Sequence, residues 1–228
     1  MNNQEMRAIL DIISRVGKSH PWHGVPIGAD APRVVTTYIE IVPDDTVKYE
    51  LDKLTGHLRV DRPQRYSNVC PTLYGLVPRT YCGENVAQRC MDQTGRRGVI
   101  GDGDPLDICV LSEKSITHGD IFLEARPIGG LRMIDDKEAD DKIVAVLKGD
   151  ALYEYFQDIH ECPQGLIDRL QHYFLTYKDT PGTEHRQCEI VEVYGREEAH
   201  EVIRLSQDDY HAQYPSLKNL LAVQIGRS

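Results

Sequence analysis

No stretch of the sequence approaches the roughly 20 consecutive apolar residues that a membrane-spanning helix requires. The first residues also lack the uninterrupted apolar core of a signal peptide, because Glu5, Arg7, Asp11 and Arg15 break it. Internal repeats and low-complexity segments are missing as well. These absences predict a single folded unit in the cytoplasm, with no membrane partner.

Positive charge is also in short supply, with 26 Lys and Arg against 36 Asp and Glu and a formal net charge of -10. Such a chain repels nucleic-acid phosphates, so we expect no nucleic-acid partner. The sequence contains no Gly-rich Walker-type loop that would cradle a nucleotide. An acidic chain that handles an anion would therefore need a local basic pocket or bound cations that reverse the local charge.

Cysteines at zinc-binding spacing are absent too, since none of the six cysteines belongs to a Cys-x-x-Cys pair. In a chain of 228 residues without an export signal, we expect reduced thiols rather than disulfides. A zinc site that includes Cys82 and Cys90 is a weak alternative.

Strand signals dominate the first two thirds of the chain, and several short strands imply a small closed or partly open barrel. Alternation along the second run places Lys48 and Glu50 on one face. We predict an antiparallel meander for the first three runs and a long loop for residues 62–101, which are rich in Pro, Gly, Arg and Cys. The predicted strands span 33–42, 46–51, 57–61, 107–112, 121–128 and 142–148.

Helices are predicted at both ends of the chain. Apolar side chains recur at helical spacing over residues 6–16 and 166–177, and a further helix is predicted near 196–212. One helix in front, strands next and helices last indicate an α+β fold rather than alternating strands and helices.

The sharpest local feature is a group of three carboxylates, Asp102, Asp104 and Asp107, immediately before an apolar strand. Like charges this close repel one another unless cations neutralise them. Carboxylate oxygens suit magnesium, calcium or manganese rather than zinc or copper. An EF-hand calcium loop fails on detail, because Leu106 occupies a ligand position and Asp107 replaces the required glycine.

A second acidic run, at residues 135–142, precedes the apolar strand at 142–148. Alone, such a run is typical of a solvated turn. Two acidic turns that each lead into a strand of one barrel can instead place their carboxylates around shared metal ions.

The segment 102–108 resembles the signature of the family I soluble inorganic pyrophosphatases, Asp-x-Asp-Pro-hydrophobic-Asp-hydrophobic, at every position. Further segments agree with that family in order and approximate spacing, so the resemblance covers about residues 34–180. These segments are 38–41, 47–52, 60–62, 74–75, 135–146 and 177–179.

The resemblance implies a five-stranded OB-like β-barrel with flanking α-helices, and hydrolysis of pyrophosphate to two phosphates by a water activated in a site with several magnesium ions. Manganese could replace magnesium, and calcium would inhibit. Asp104 resembles the general base. The implied metal ligands are Asp102, Asp107, Asp135 and Asp140. The implied substrate contacts are Lys48, Arg62, Tyr74, Lys142, Tyr177 and Lys178, with Glu40, Glu50 and Asp136 as supporting residues.

The chain departs from the common family pattern in three places. Cys70 stands where many members have a tyrosine. Residues 1–228 are interpreted as one pyrophosphatase domain with an N-terminal helical extension at 1–30 and an inserted loop at 79–101. The resemblance implies a homo-oligomer but leaves dimer and hexamer open, because this chain lies between the two size classes.

Two rival functions remain at this level. OB-like barrels often bind oligonucleotides or sugars without catalysis, but an acidic cluster with no basic aromatic stripe argues against that reading. A metal-dependent hydrolase acting on nucleotides or polyphosphate is the other, and a side activity of this kind stays open.

Overall fold

The computed structural model describes residues 17–180, 182–183 and 187–215. The helix predicted over residues 6–16 lies outside this part of the chain. The described strands are β1 (Val35–Ile41), β2 (Val47–Leu51), β3 (Leu58–Pro63), β4 (Leu73–Leu76), β5 (Ile100–Gly101), β6 (Asp107–Leu111), β7 (Ile121–Asp135), β8 (Glu138–Ala139), β9 (Lys142–Leu147) and β10 (Cys188–Gly195). The described helices are α1 (Glu84–Thr94), α2 (Gln164–Thr176) and α3 (Arg196–Gln213), with a short 3₁₀ turn at Ile159–Glu161.

Five strands pair successively in a closed ring, in the order β1, β4, β6, β9 and β7, and β7 pairs again with β1. This ring confirms the barrel and the α+β class. All of these pairings are antiparallel except the one between β6 and β9. In that parallel pair Asp107 lies opposite Lys142, so the first residues of two strands from separate acidic segments become neighbours.

The predicted meander of the first three strands is wrong. β2 and β3 form a separate two-stranded hairpin, in which Lys48 lies opposite Arg62. The reason is burial: six of the seven residues of β1 are buried, whereas most of the hairpin is half-buried or exposed and cannot serve as a barrel wall.

Successive residues of the barrel strands point to two different apolar clusters, as the pleat of a strand requires. Ile108 and Ile143 belong to one cluster, which α1 and α3 cover, while Cys109 and Val144 belong to a second, which α2 covers. The helices predicted at 166–177 and 196–212 are confirmed as α2 and α3, although Tyr177 is the residue that follows the last turn of α2.

The prediction of a long loop over residues 62–101 is wrong in two places. Leu73–Leu76 forms the barrel strand β4, and the central part of the segment 79–101 forms α1. Val86, Ala87 and Cys90 are the buried residues of this helix, and Gly95 ends it in a left-handed conformation. Only three of its eleven residues are buried, so the apolar stripe is too narrow to stand out among the polar residues.

A close approach of β4 to β1 requires glycine at position 75. A Cβ atom there would lie 1.9 Å from the carbonyl oxygen of Tyr38. All six cysteines are buried and carry free thiols. Among the described residues, no helix is both long and apolar enough to cross a membrane.

Candidate active site

Two adjoining cavities open between the barrel and the hairpin. The carboxylate cavity, of about 260 Å³, is lined by both acidic segments, by β3 and by the end of α2. The hairpin cavity, of about 430 Å³, lies against β2 and the turn that follows it. Lys48, Tyr74, Asp104 and Asp107 line both cavities, so the two form one continuous site.

The structure brings together thirteen of the fourteen residues predicted from the sequence. Eleven line the carboxylate cavity: Lys48, Arg62, Tyr74, Asp102, Asp104, Asp107, Asp135, Asp140, Lys142, Tyr177 and Lys178. Glu40 and Glu50 line the hairpin cavity.

Asp136 is the exception. It lines a separate surface cavity with Arg96, Arg97 and Lys137. Asp135 ends β7 with its side chain in the carboxylate cavity, and Asp136 begins the turn with a φ of 45°. Two neighbouring residues at a strand end point in different directions, so the predicted supporting position of Asp136 is not observed.

The first acidic segment is held by backbone contacts to the chain just before α1. The Asp104 N–H donates to Asp102 Oδ1 at 2.8 Å, and the Cys82 N–H donates to the Asp104 carbonyl at 2.8 Å. Gly101 permits this approach, since a Cβ atom there would lie 2.2 Å from the Cys82 carbonyl oxygen. These contacts orient the segment before β6 begins.

Lys142 lines the carboxylate cavity and is almost fully buried. Its ammonium group donates to Asp107 Oδ2 at 2.5 Å and also contacts Asp140. Burial alone would lower the pKa of Lys142, but the two carboxylates outweigh it and raise this pKa well above its ordinary value. The Tyr74 hydroxyl donates to the same Asp107 oxygen at 2.5 Å.

Three carboxyl groups of the site lose contact with water at a cost to their charged forms: Glu40 is buried, and Asp102 and Asp140 are partly buried. Burial raises the pKa of Asp102 well above its usual range, and the charge of Asp140 raises it further. Burial likewise raises the pKa of Asp140. Burial, with Asp107 nearby, raises the pKa of Glu40 to about 8, although the Leu51 N–H donates to it at 2.6 Å. These groups need additional positive charge to ionise together.

The cations around the cavity are already paired with carboxylates. Lys48 donates to Asp61 at 2.9 Å and to Glu50 at 3.4 Å, and Arg62 donates to Asp61 at 2.5 Å. Lys178 contacts Asp135. Tyr177 lies beneath two of these cations, with its ring centre 5.8 Å from the Arg62 guanidinium and 5.5 Å from the Lys178 ammonium.

Sequence reasoning missed several residues of the site. Lys53 follows β2 and contacts Asp104, and Glu138 lines the carboxylate cavity from within the second acidic run. Tyr173 brings a phenolic group to the cavity wall, whereas Cys70 lines neither cavity. Glu138 could have been found from its place in the run, but nothing local marks Lys53.

The donor set fits a hard divalent cation. As the side chains stand, no three Asp, Glu, His or Cys groups in the described part of the chain are arranged to hold a metal ion, and lysine ammonium groups already contact Asp104, Asp135 and Asp140. The carboxylate oxygens of Asp102, Asp107 and Asp140 are nonetheless the ligand type that magnesium prefers. The raised pKa values of Asp102 and Asp140 indicate the same shortage of positive charge that an added cation would correct.

The geometry agrees with comparisons to known proteins. The family model described as inorganic pyrophosphatase matches residues 37–211, a range that contains all fourteen predicted site residues. The chain belongs to the inorganic pyrophosphatase family. An inorganic pyrophosphatase of Chlamydia trachomatis is 55% identical over 196 residues, covering 84% of this chain and 94% of that protein. A soluble inorganic pyrophosphatase of Oryza sativa is 39% identical over 194 residues, covering 85% of this chain and 80% of that protein.

Solved structures of the same family share the fold. The crystal structure of inorganic pyrophosphatase from Thermus thermophilus aligns with a TM-score of 0.69 at 30% identity, covering 83% of this chain and 98% of that one. The likeness to this family therefore holds for the fold, with its barrel and helices, as well as for the sequence.

Proposed function

We propose that this chain hydrolyses pyrophosphate to two phosphates in the carboxylate cavity and depends on magnesium ions. Two features support the proposal: the membership in the inorganic pyrophosphatase family, and a single cavity that combines five aspartates with four cationic side chains. The decisive observation is the parallel register that sets Asp107 beside Lys142.

Lys48, Arg62, Lys142 and Lys178 are proposed to bind the phosphate oxygens, with the hydroxyls of Tyr74 and Tyr177. Arg62 offers a planar fork for two oxygens, whereas each lysine offers a point charge. Each of these cations is now paired with a carboxylate. Substrate binding must therefore exchange these carboxylate contacts for phosphate contacts.

Asp102, Asp107, Asp135 and Asp140 would hold the magnesium ions. When bound, magnesium supplies a Lewis acid that lowers the pKa of water and offsets the negative charge of pyrophosphate. Manganese offers similar octahedral oxygen coordination and should substitute for it. Calcium prefers longer bonds and looser coordination, so it should occupy the carboxylates and inhibit.

Asp104 is proposed to accept the proton of the attacking water. Its side chain is 46% exposed and lines both cavities, so water can reach it. Its present partner, Lys53, is 55% exposed and can move away. Glu40 and Glu50 would support the site by orienting Lys48 and the backbone of β2.

A phosphate-release assay tests this function. With pyrophosphate, tripolyphosphate and ATP as substrates, we expect rapid release from pyrophosphate with magnesium and little release from the other two. Excess chelator should abolish the reaction, and magnesium should restore it. Equal turnover of pyrophosphate in excess chelator would contradict the metal dependence. Equal turnover of all three substrates would contradict the assignment to pyrophosphate.

A further inference from the structure

A second cavity, remote from the active site, is lined by arginines. This arginine cavity has a volume of about 670 Å³, within the range of small-molecule pockets. None of its lining residues lines the carboxylate or hairpin cavity. The residues that matter here are Arg33, Arg126, Arg196, Glu197, His200 and Arg204.

The cavity is assembled from three separate parts of the chain. Arg196, His200 and Arg204 are spaced four residues apart on α3, so they share one face of that helix. Arg126 lies on β7, and Arg33 precedes β1. Four arginines against the single carboxylate of Glu197 make the wall strongly positive, in a chain whose net charge is -10.

Arg126 is held in place by neutral acceptors and forms no ion pair with a carboxylate of the described residues. Its guanidinium donates to the carbonyl oxygens of Phe156 and Glu154, at 2.9 and 2.5 Å, and to the Gln157 side chain at 3.1 Å. All three acceptors are neutral. Arg33, two residues before the start of β1, forms no ion pair with any described residue. Within the described part of the chain, neither guanidinium group is paired with a carboxylate.

The other two arginines have only local partners. Arg196 reaches the adjacent Glu197 at 3.4 Å, and the Glu197 side chain is 80% exposed. Arg204 pairs with Glu201, one turn before it on the same helix, with both side chains in contact with solvent. Exposed ion pairs of this kind contribute little to stability, so both arginines remain available to bind an anion. By contrast, the buried Arg132 is surrounded by carboxylates.

His200 adds an unused polar group to the cavity wall. The residue is buried, and its Nε2 atom is buried without a hydrogen-bond partner among the described residues. Burial lowers the pKa of His200; Glu197 opposes this effect, and Arg196, Arg204 and Arg33 add to it. The imidazole is thus neutral at pH 7. A buried nitrogen left unpaired is costly unless something binds it.

We propose that the arginine cavity binds a soluble anion that carries several phosphate groups. Guanidinium groups match phosphate oxygens with pairs of N–H donors, and four of them around one cavity suit an anion with more than one charge. Arg126 and Arg196 are half-buried, so their side chains form the less mobile part of the cavity wall. Arg33 and Arg204 are exposed, so their side chains can move towards a bound ligand. Arg126 lies near the start of β7 and Asp135 at its end, roughly 30 Å along the strand. The ligand therefore binds apart from the substrate.

Isothermal titration with tripolyphosphate in metal-free buffer tests this site directly. Arg33→Gln combined with Arg204→Gln should weaken the binding event by about tenfold or more, because two charged donors are lost. Arg97→Gln combined with Arg169→Gln makes the same change of charge at exposed positions outside the cavity and should leave binding intact. The event should also survive Arg62→Gln, which alters the active site instead.

Three outcomes would overturn the proposal. The first is equal affinity of the wild type and the Arg33→Gln/Arg204→Gln variant. The second is a change of oligomeric state in that variant with unchanged tripolyphosphate binding, which would make the arginines a subunit contact. The third is arginine-dependent flotation with vesicles of phosphatidylcholine and phosphatidylserine, which would assign the site to lipid headgroups. The titration involves no turnover, so its result is independent of the proposed hydrolysis.

Discussion

Asp102→Asn should stabilise the metal-free protein while weakening its response to magnesium. Asp102 is partly buried next to Asp140, and the charge of Asp140 disfavours the charged form of Asp102. Asparagine keeps the oxygen that accepts the Asp104 N–H at 2.8 Å. Its amide can also donate to Asp140, so a repulsive contact becomes a hydrogen bond.

The magnitude follows from Coulomb's law. Two like charges about 4 Å apart cost about 4 kcal/mol at an effective dielectric constant of about 20. The ammonium group of Lys142 on Asp140 already offsets part of this cost. We therefore expect a gain of about 1–2 kcal/mol in the free energy of unfolding without metal. For a chain of 228 residues, this gain corresponds to about 2–8 °C in Tm.

Added magnesium should reduce the stability advantage of the variant over the wild type. A ligand that binds only the folded state raises its stability in proportion to its affinity, and the variant lacks one charged oxygen ligand. The increase in Tm on adding magnesium should shrink, and the magnesium concentration for half-maximal hydrolysis should rise about tenfold or more. Differential scanning calorimetry in chelator and in magnesium, with a magnesium titration of turnover, measures both effects. A lower Tm of the metal-free variant, or an unchanged response to magnesium, would refute the reasoning.

Three further predictions concern single side chains. Asp104→Asn should lower the turnover number by roughly 10²- to 10⁴-fold, the range for a lost general base. Its half-saturating magnesium concentration should stay close to that of the wild type. Wild-type turnover of this variant would rule out Asp104 as the general base. The free energy of unfolding should fall as the pH drops from about 6.5 to about 4, because burial lowers the pKa of His23 to about 4 and the unfolded chain takes up its proton first. Urea titrations should show a loss of roughly 1–2 kcal/mol after allowance for partial exposure. The His23→Gln variant should not show this loss. Gly75→Ala should cost at least about 3 kcal/mol, because its Cβ would lie 1.9 Å from the Tyr38 carbonyl oxygen; a wild-type Tm would show that β4 can move away from β1.

Most of the candidate active site was visible in the sequence because its carboxylates are concentrated in short acidic segments. The carboxylates at 102–107 form a distinctive motif, and the run at 135–142, which alone is typical of a solvated turn, gains its meaning from its place in the family's order. The apolar stripe of α2 and the β-branched runs of β1, β6 and β9 were equally clear, because burial on one face leaves a periodic pattern. Thirteen of the fourteen predicted site residues accordingly lie in the two cavities.

Local pattern could not decide contacts that depend on the path of the chain. The pairing of Asp107 with Lys142 needs the parallel register of β6 and β9, and the direction of Asp136 depends on the turn after β7. α1 was missed because few of its residues are buried.

The arginine cavity was invisible in the sequence for the same reason. Its residues come from α3, from β7 and from the chain before β1, where each arginine alone is typical of a solvated surface. The sequence by itself determined the family, four of the five barrel strands and the acidic segments, because periodicity and short motifs indicate them; β4 lay within the predicted loop. Only the tertiary structure decided which charges meet, because charges far apart in the chain become neighbours only when the strands and helices pack together.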